Sequence, residues 1–243
     1  MDKYFHDSRR RGYFDFGWLR TNHSFSFGSY KDEERMGFGT LRVLNDDKIQ
    51  GGAGFDTHLH ENMEIITIPL RGALEHKDST GASGVIHPDE VQVMSAGSGI
   101  FHSESNHLPD EQTDIIQIWI NSDKQNIQPR YDQKKFDTEN NPNYFMTVVA
   151  GTAEDFSGPH KPLWINQNAY ISLCNLEGGI ELGYNVYDKS NGVFFFLIDG
   201  YVNVDGDNLS KRDSLEFTEI DRDTIFARSV EDSYLMVIEV PMK

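Results

Sequence analysis

Two short segments of this chain carry side chains spaced for metal chemistry. His58 and His60 are two residues apart, and so are His102 and Glu104. On a β-strand that spacing sends both side chains to one face. Two such strands side by side then present three imidazoles and a carboxylate together. Neutral imidazole suits iron, nickel, copper or zinc, and the carboxylate offsets the charge of a divalent ion. A four-ligand site leaves positions open for water, O2 or substrate. A lone His-x-His is more often a pair of surface or hydrogen-bonded histidines. The same spacing at His102 and Glu104, with glycines around both pairs, favours the metal. Glu64 competes for the carboxylate role, because its even spacing from His58 and His60 puts it on their face if that strand runs unbroken.

Little else in the chain suits catalysis. Cys174 is the single cysteine, so there is neither an intrachain disulfide nor a cysteine cluster for zinc. It lies in an apolar strand-like run with no basic neighbour, which suits a core residue rather than a nucleophile. No Walker-type or Rossmann glycine loop is present. The 243 residues carry 22 Lys plus Arg against 39 Asp plus Glu, a net charge of −17. That balance excludes a nucleic-acid binder working by phosphate neutralisation. Residues 1–45 hold eight basic and six acidic side chains, so the acidity lies wholly beyond them. Arg9-Arg10-Arg11 in that segment is the one feature suited to an acidic protein partner, with a solvated edge or internal salt bridges as the plainer reading. No signal peptide or membrane-length apolar run is evident, and a soluble, cytoplasmic protein is expected.

The elements that must position the histidines are strands. Ile116, Ile118 and Ile120 alternate with Gln117 and Trp119, and Ile180, Leu182, Tyr184 and Val186 alternate with Glu181, Gly183 and Asn185. Other β-branched and aromatic runs are separated by Gly, Asp, Asn or Pro, with turn dipeptides at Asp199-Gly200 and Asp205-Gly206. No long amphipathic helix is evident, so the chain reads as all-β. It also reads as a duplication. Thr57–Gly72 overlays Asn185–Gly200 without a gap, and two later segments match in the same order. Two β domains follow, 1–136 and 137–243, with Asn140-Asn141-Pro142 the most linker-like point. On the ungapped overlay His58 and His60 fall on Val186 and Asp188, and His102 and Glu104 on Ala227 and Ser229. The second copy is therefore expected to keep the scaffold and lack the metal site.

At these residues the chain resembles known proteins. Gly52-x5-His58-x-His60-x3-Glu64 and Gly99-x2-His102-x3-Asn106 resemble the two cupin motifs. More specifically, Arg11-Gly12-Tyr13-Phe14-Asp15, His23-Ser24-Phe25-Ser26-Phe27, Met36-Gly37-Phe38-Gly39, His102-Ser103-Glu104 and Pro129-Arg130-Tyr131 resemble the pirin family. The match is dense over residues 5–136.

The resemblance implies a bicupin, two tandem β-barrel or jelly-roll domains. It implies one divalent transition metal held by His58, His60, His102 and Glu104 in the first domain, which favours Glu104 over Glu64. Iron is the expected ion, with nickel, manganese, cobalt, copper and zinc also suited to the donors. Bacterial members are associated with quercetin 2,3-dioxygenase activity, so the implied partners are a flavonol-like substrate and O2, with Glu104 as the base for the 3-hydroxyl proton. Eukaryotic pirins resemble metal-dependent regulators, which makes a metal- or redox-sensing protein contact the alternative. Phe101 stands where many relatives have arginine, and it would alter substrate preference if it lined the pocket. Two cupins in one chain can satisfy their packing internally, so a monomer is expected, with neither nucleic acid nor membrane as partner.

Overall fold

The structure, a computed structural model, describes residues 1–151, 156 and 161–243. Among them the chain forms β-strands and one three-residue 3-10 turn, Ser8–Arg10. No helix among them is long and apolar enough to cross a membrane. The chain divides into two compact units, each built of one seven-stranded and one four-stranded sheet.

The first unit comprises Arg11–Phe136 with Ile165–Gln167. Its larger sheet runs in the order Arg130–Lys135, Glu90–Ser95, Met63–Arg71, Thr113–Asn121, Leu41–Ile49, Leu19–His23 and Gly12–Asp15. Its smaller sheet runs Gly54–His60, Ile100–Asn106, Leu74–Asp78 and Ser83–Ile86. Period-two alternation decides what faces inward. One end of the interior is an apolar cluster of Leu19, Ile49, Leu74, Ile86 and Ile115, and another cluster holds Ile65, Met94, Ala96 and Ile100. Between them lies a polar row crossing five strands in register, His23 to Asn45 to Gln117 to Thr67 to Gln92.

The second unit comprises Met1–Arg10, Asp137–Trp164 and Asn168–Lys243. Its smaller sheet runs Glu181–Asn185, Thr224–Ser229, Tyr201–Val204 and Asp207–Ser210, the order of the first unit's small sheet repeated. The Asp205-Gly206 turn closes its last hairpin with φ of 48° and 94°, the positive values that two-residue hairpins require. Its interior is a single apolar cluster that includes Phe195, Leu215, Phe217, Val202, Tyr184 and Cys174. Cys174 is fully buried and burial pushes its thiol up to about 12, so it is a core residue.

Division of the chain differs from a cut at 136/137 in two places. The strand Asp2–His6 pairs with Ser214–Thr218, at the edge of the second unit's large sheet. Residues 165–167 belong to the first unit, where Asn166 binds Glu64. Neither placement has a local sequence signal, because both are made by partners far away in the chain.

The overlay of the two copies also needs correcting. Strand Met63–Arg71 does match Asn191–Asp199 at the ungapped offset, but the preceding strands do not. The Glu61-Asn62 turn of the first unit is replaced by the longer connection 186–190 in the second. In register, His58 lies across from His102 and His60 from Ile100, whereas Leu182 lies across from Ala227 and Tyr184 from Ile225. The counterparts of His58 and His60 are therefore Leu182 and Tyr184. Asp188 sits in the connection, where Ser190 and Asn168 donate to its carboxylate.

Candidate metal centre

Strand Ile100–Asn106 runs between Gly54–His60 and Leu74–Asp78 and organises the site. Its alternation buries Ile100, His102, Glu104 and Asn106. The pairing with Gly54–His60 slips between His102 and Glu104, so that Glu104 lies across from Phe55. Such a slip re-aims a side chain. The two strands are so close there that a Cβ on Gly54 would stand 2.4 Å from the Glu104 carbonyl. On the other side Glu104 lies across from His76 and His102 from Asp78.

The expected residues come together as two overlapping triads that share His102. One is His58, His60 and His102, and the other is His76, His102 and Glu104, with the ligand atoms of each within 4.8 Å of one another. His58 Nδ1 lies 2.8 Å from the Asp56 carbonyl. A carbonyl only accepts, so that nitrogen carries a proton and the lone pair that a cation would take is the one on Nε2. That lone pair points at His102 Nε2, 3.0 Å away. His102 Nδ1 is buried without a hydrogen-bond partner. Burial, reinforced by the neighbouring imidazoles, lowers His102 to about 3, and burial with His58 lowers His60 to about 4. The rings are thus neutral donors at pH 7, which is the state a cation needs.

Glu104 is fully enclosed, and burial raises its pKa against the opposing pull of His76 and a Gln117 hydrogen bond. Gln117 Nε2 donates to Oε2 at 2.7 Å, and Thr67 Oγ1 donates to Oε1 at 3.4 Å. Gln117 is itself oriented by Trp119, whose Nε1 donates to Oε1 at 3.1 Å. The same indole packs edge-on against His60, with centroids 4.7 Å apart. This is the outer support that ligating side chains require. Three converging imidazoles and a buried carboxylate, with His102 Nδ1 buried without a partner, fit a divalent transition ion.

His76 is the residue that the sequence reading missed. Its Nε2 donates to Asp78 at 3.0 Å, its Nδ1 lies 3.5 Å from Gln92 Nε2, and its ring stacks on Tyr131 at 4.6 Å. With both nitrogens engaged it buttresses Glu104 and His102 from behind. The signal was its spacing, since His76-x-Asp78 repeats the two-residue step of the other pairs.

Glu64 lies outside both triads. Asn62, at φ 50°, ends the strand run that would have carried Glu64 to the histidines' face. Glu64 begins the next sheet instead and accepts from Ser95 at 2.6 Å and Asn166 at 3.2 Å. Phe101 is on the outer face of its strand, 51% exposed, and is not part of the cavity wall. Arg9 pairs with Asp7, and Arg11, a buried side chain, lies 3.5 Å from Asp46.

A cavity of about 470 Å³ opens on His58, His60 and Glu104, walled by Phe14, Trp18 and Phe27 among others. That volume is in the range of small-molecule sites, and its mix of aromatic walls and few polar groups is typical of them.

The fold and site together define a class: a two-cupin protein with a histidine–carboxylate cluster in the first copy and none among the described residues of the second. Residues 4–120 match the family described as Pirin, and residues 157–240 match the quercetinase C-terminal cupin domain. A putative quercetin 2,3-dioxygenase of Pseudomonas aeruginosa is 39% identical over 95% of this chain and 96% of its own. The quercetin 2,3-dioxygenase of Escherichia coli K12 is 35% identical over 98% of both chains. A bacterial pirin of Escherichia coli, solved in complex with nickel(II), superposes with a TM-score of 0.90 at 33% identity, covering 99% of each chain. The chain belongs to the pirin family.

Proposed function

We propose that this chain is a metal-dependent dioxygenase that opens the ring of a flavonol such as quercetin with O2, releasing carbon monoxide. The observation that carries the reading is the convergence of His58, His60, His102 and Glu104 in two overlapping triads, with His58, His60 and Glu104 facing an aromatic cavity. The names of the relatives support it. The ligands proposed are His58, His60, His102 and Glu104. A divalent ion held there, iron by preference, would supply the Lewis-acid and redox chemistry of ring cleavage.

The chain's own residues supply the rest. Glu104 accepts the 3-hydroxyl proton, with Gln117 and Thr67 orienting its two oxygens. Phe14, Phe27 and Trp18 take the flat rings and keep water from the reacting end. Burial holds His60 and His102 uncharged, so that they do not compete with a cation by binding protons.

The test supplies quercetin and air to protein of defined metal content while O2 uptake and carbon monoxide are followed. His58→Ala should lose metal and turnover together. Turnover retained by metal-free His58→Ala, or none by wild type with iron, manganese, cobalt, nickel or copper, overturns the reading.

A further inference from the structure

The cavity has a second polar corner that the metal chemistry does not use. It lies on strands Leu19–His23 and Leu41–Ile49, where Thr21 pairs with Asp47 and His23 with Asn45. Thr21, Asn45 and Asp47 all line the cavity. They are 3%, 4% and 3% exposed, and Thr21 Oγ1, Asn45 Oδ1 and Asp47 Oδ1 have no hydrogen-bond partner outside the corner, where Thr21 stands close enough to Asp47 to oppose the rise in its pKa. A buried polar atom left without a partner costs about 1–3 kcal/mol. Three on adjacent positions of one wall make a concentrated penalty that packing does not require.

The second unit shows that it does not. Asn45 lies across from Gln117 and Asp47 from Ile115 in the first unit. At the matching positions Ser172 lies across from Val237 and Cys174 from Leu235. Cys174, Val237 and Leu235 are part of the second unit's apolar core. The fold thus closes with a small thiol where Asp47 stands. The acidic group is an addition made to the cavity, not a demand of the sheet.

The chemistry of the corner selects its ligand. The carboxylate and amide oxygens accept, and the Thr21 hydroxyl can do either, so the ligand must bring donors. An anionic group is excluded beside Asp47, which already stands near Asp46 and Glu104. The remaining wall is aromatic: Phe14 and Phe16 stack at 6.1 Å, and Trp18 meets Phe55 edge-on at 5.2 Å. A flat ring bearing hydroxyl groups satisfies both.

We propose that Thr21, Asn45 and Asp47 form a recognition corner that accepts hydrogen bonds from hydroxyl groups on an aromatic ring of the substrate, on the wall made by strands Leu19–His23 and Leu41–Ile49. The assignment rests on the flavonol reading for the ligand's other end, and it makes the hydroxyls beyond the chelating pair the source of specificity. Asp47 is the dominant acceptor, because a hydrogen bond to a carboxylate is stronger than one to a neutral group.

The test uses the full chain loaded with nickel(II), under nitrogen, in two calorimetric titrations. The first compares 2-naphthol with 2-methoxynaphthalene, the same rings with the donor removed. The wild type should prefer the naphthol by about ten-fold or more, and Asp47→Leu should abolish that preference. Asp47→Asn, nearly isosteric, should reduce it, and thermal melts of both variants report folding. Equal affinity for the two compounds, no binding of either, or a preference that survives both substitutions overturns the corner. The second titration compares quercetin with 3-hydroxyflavone, which keeps only the chelating hydroxyl. A quercetin preference lost in Asp47→Leu supports the corner in its full form. If naphthol selectivity depends on Asp47 but neither flavonol binds, the corner stands and the flavonol reading fails. If both flavonols bind equally well in wild type and variant under nitrogen, and both are turned over equally once air is admitted, the flavonol reading stands and the corner fails.

Discussion

The two units of this chain share the order of their small sheets and of the central strands of their large sheets, differ at the large sheets' edges, and have opposite interiors. Where the first places Thr67, Gln92 and Gln117 on the inner face of its large sheet, the second places Phe195, Leu215 and Val237. Across from them, His58, His76, His102 and Glu104 are answered by Leu182, Val202, Ala227 and Ser229. The second interior is the lower-energy solution, since apolar side chains meeting across a sandwich need no hydrogen-bond partners. The first accepts buried amides, imidazoles and carboxylates and satisfies most of them pairwise. The difference teaches that the sheets specify the fold and that the inward row decides whether a unit gathers a cluster of candidate metal ligands.

Four experiments would break or sharpen that comparison. The largest effect is expected from His102→Ala, which gives the first unit the residue of the second. His102 belongs to both triads, so bound metal by elemental analysis and O2 uptake should both fall to background. Next is Phe195→Ala in the second unit. Phe195 is fully buried, and its loss should cost ~3–5 kcal/mol in denaturant unfolding. Gln92→Leu, which imports Leu215 into the first unit, should cost far less.

The third concerns Asp47, which burial raises to about 7, helped by Asp46 and Glu104 and opposed by Thr21. Its folded value exceeds the unfolded one of 3.8, so the folded state holds the proton longer. Stability is lost as pH climbs from about 4 to about 7 and is not recovered above. Asp47→Asn removes that loss, on the order of 4 kcal/mol at full ionisation. Its gain in melting temperature should be clearly larger at pH 8 than at pH 5, and equal gains at both would refute the assignment. The smallest effect is expected from Trp119→Phe, which keeps the ring against His60 and deletes the bond to Gln117. A fall of about three- to ten-fold in kcat with metal content unchanged is expected.

Much of this was legible in the chain because strand periodicity is a short-range signal. His58, His60, His102 and Glu104 could be put on common faces from spacing alone, and the all-β duplication from alternation and turn residues. What was not legible depended on breaks or distant partners. Glu64 shares the parity of His58, but the turn at Asn62 sends it to another sheet. The same kind of break, longer in the second copy at 186–190, displaced the overlay and made Asp188 look like a surviving ligand. His76 was visible as a residue and invisible as a participant, since nothing local says which strand lies beside Ile100–Asn106. The unpartnered oxygens of Asp47 and Asn45 appear only when the cavity is closed around them.

The pairing of Asp2–His6 with Ser214–Thr218 has a consequence for the chain's history rather than its chemistry. That strand leaves the ribosome well before the strand it pairs with, and contacts such as Lys3 to Asp207 span 204 residues. Loop closure on that scale is slow and comes late in folding. Until it happens, Ser214–Thr218 is a bare sheet edge of the kind that recruits other chains. A fragment cut at 137 would keep that edge permanently, and Asp2–His6 acts in effect as a clasp made early and fastened late.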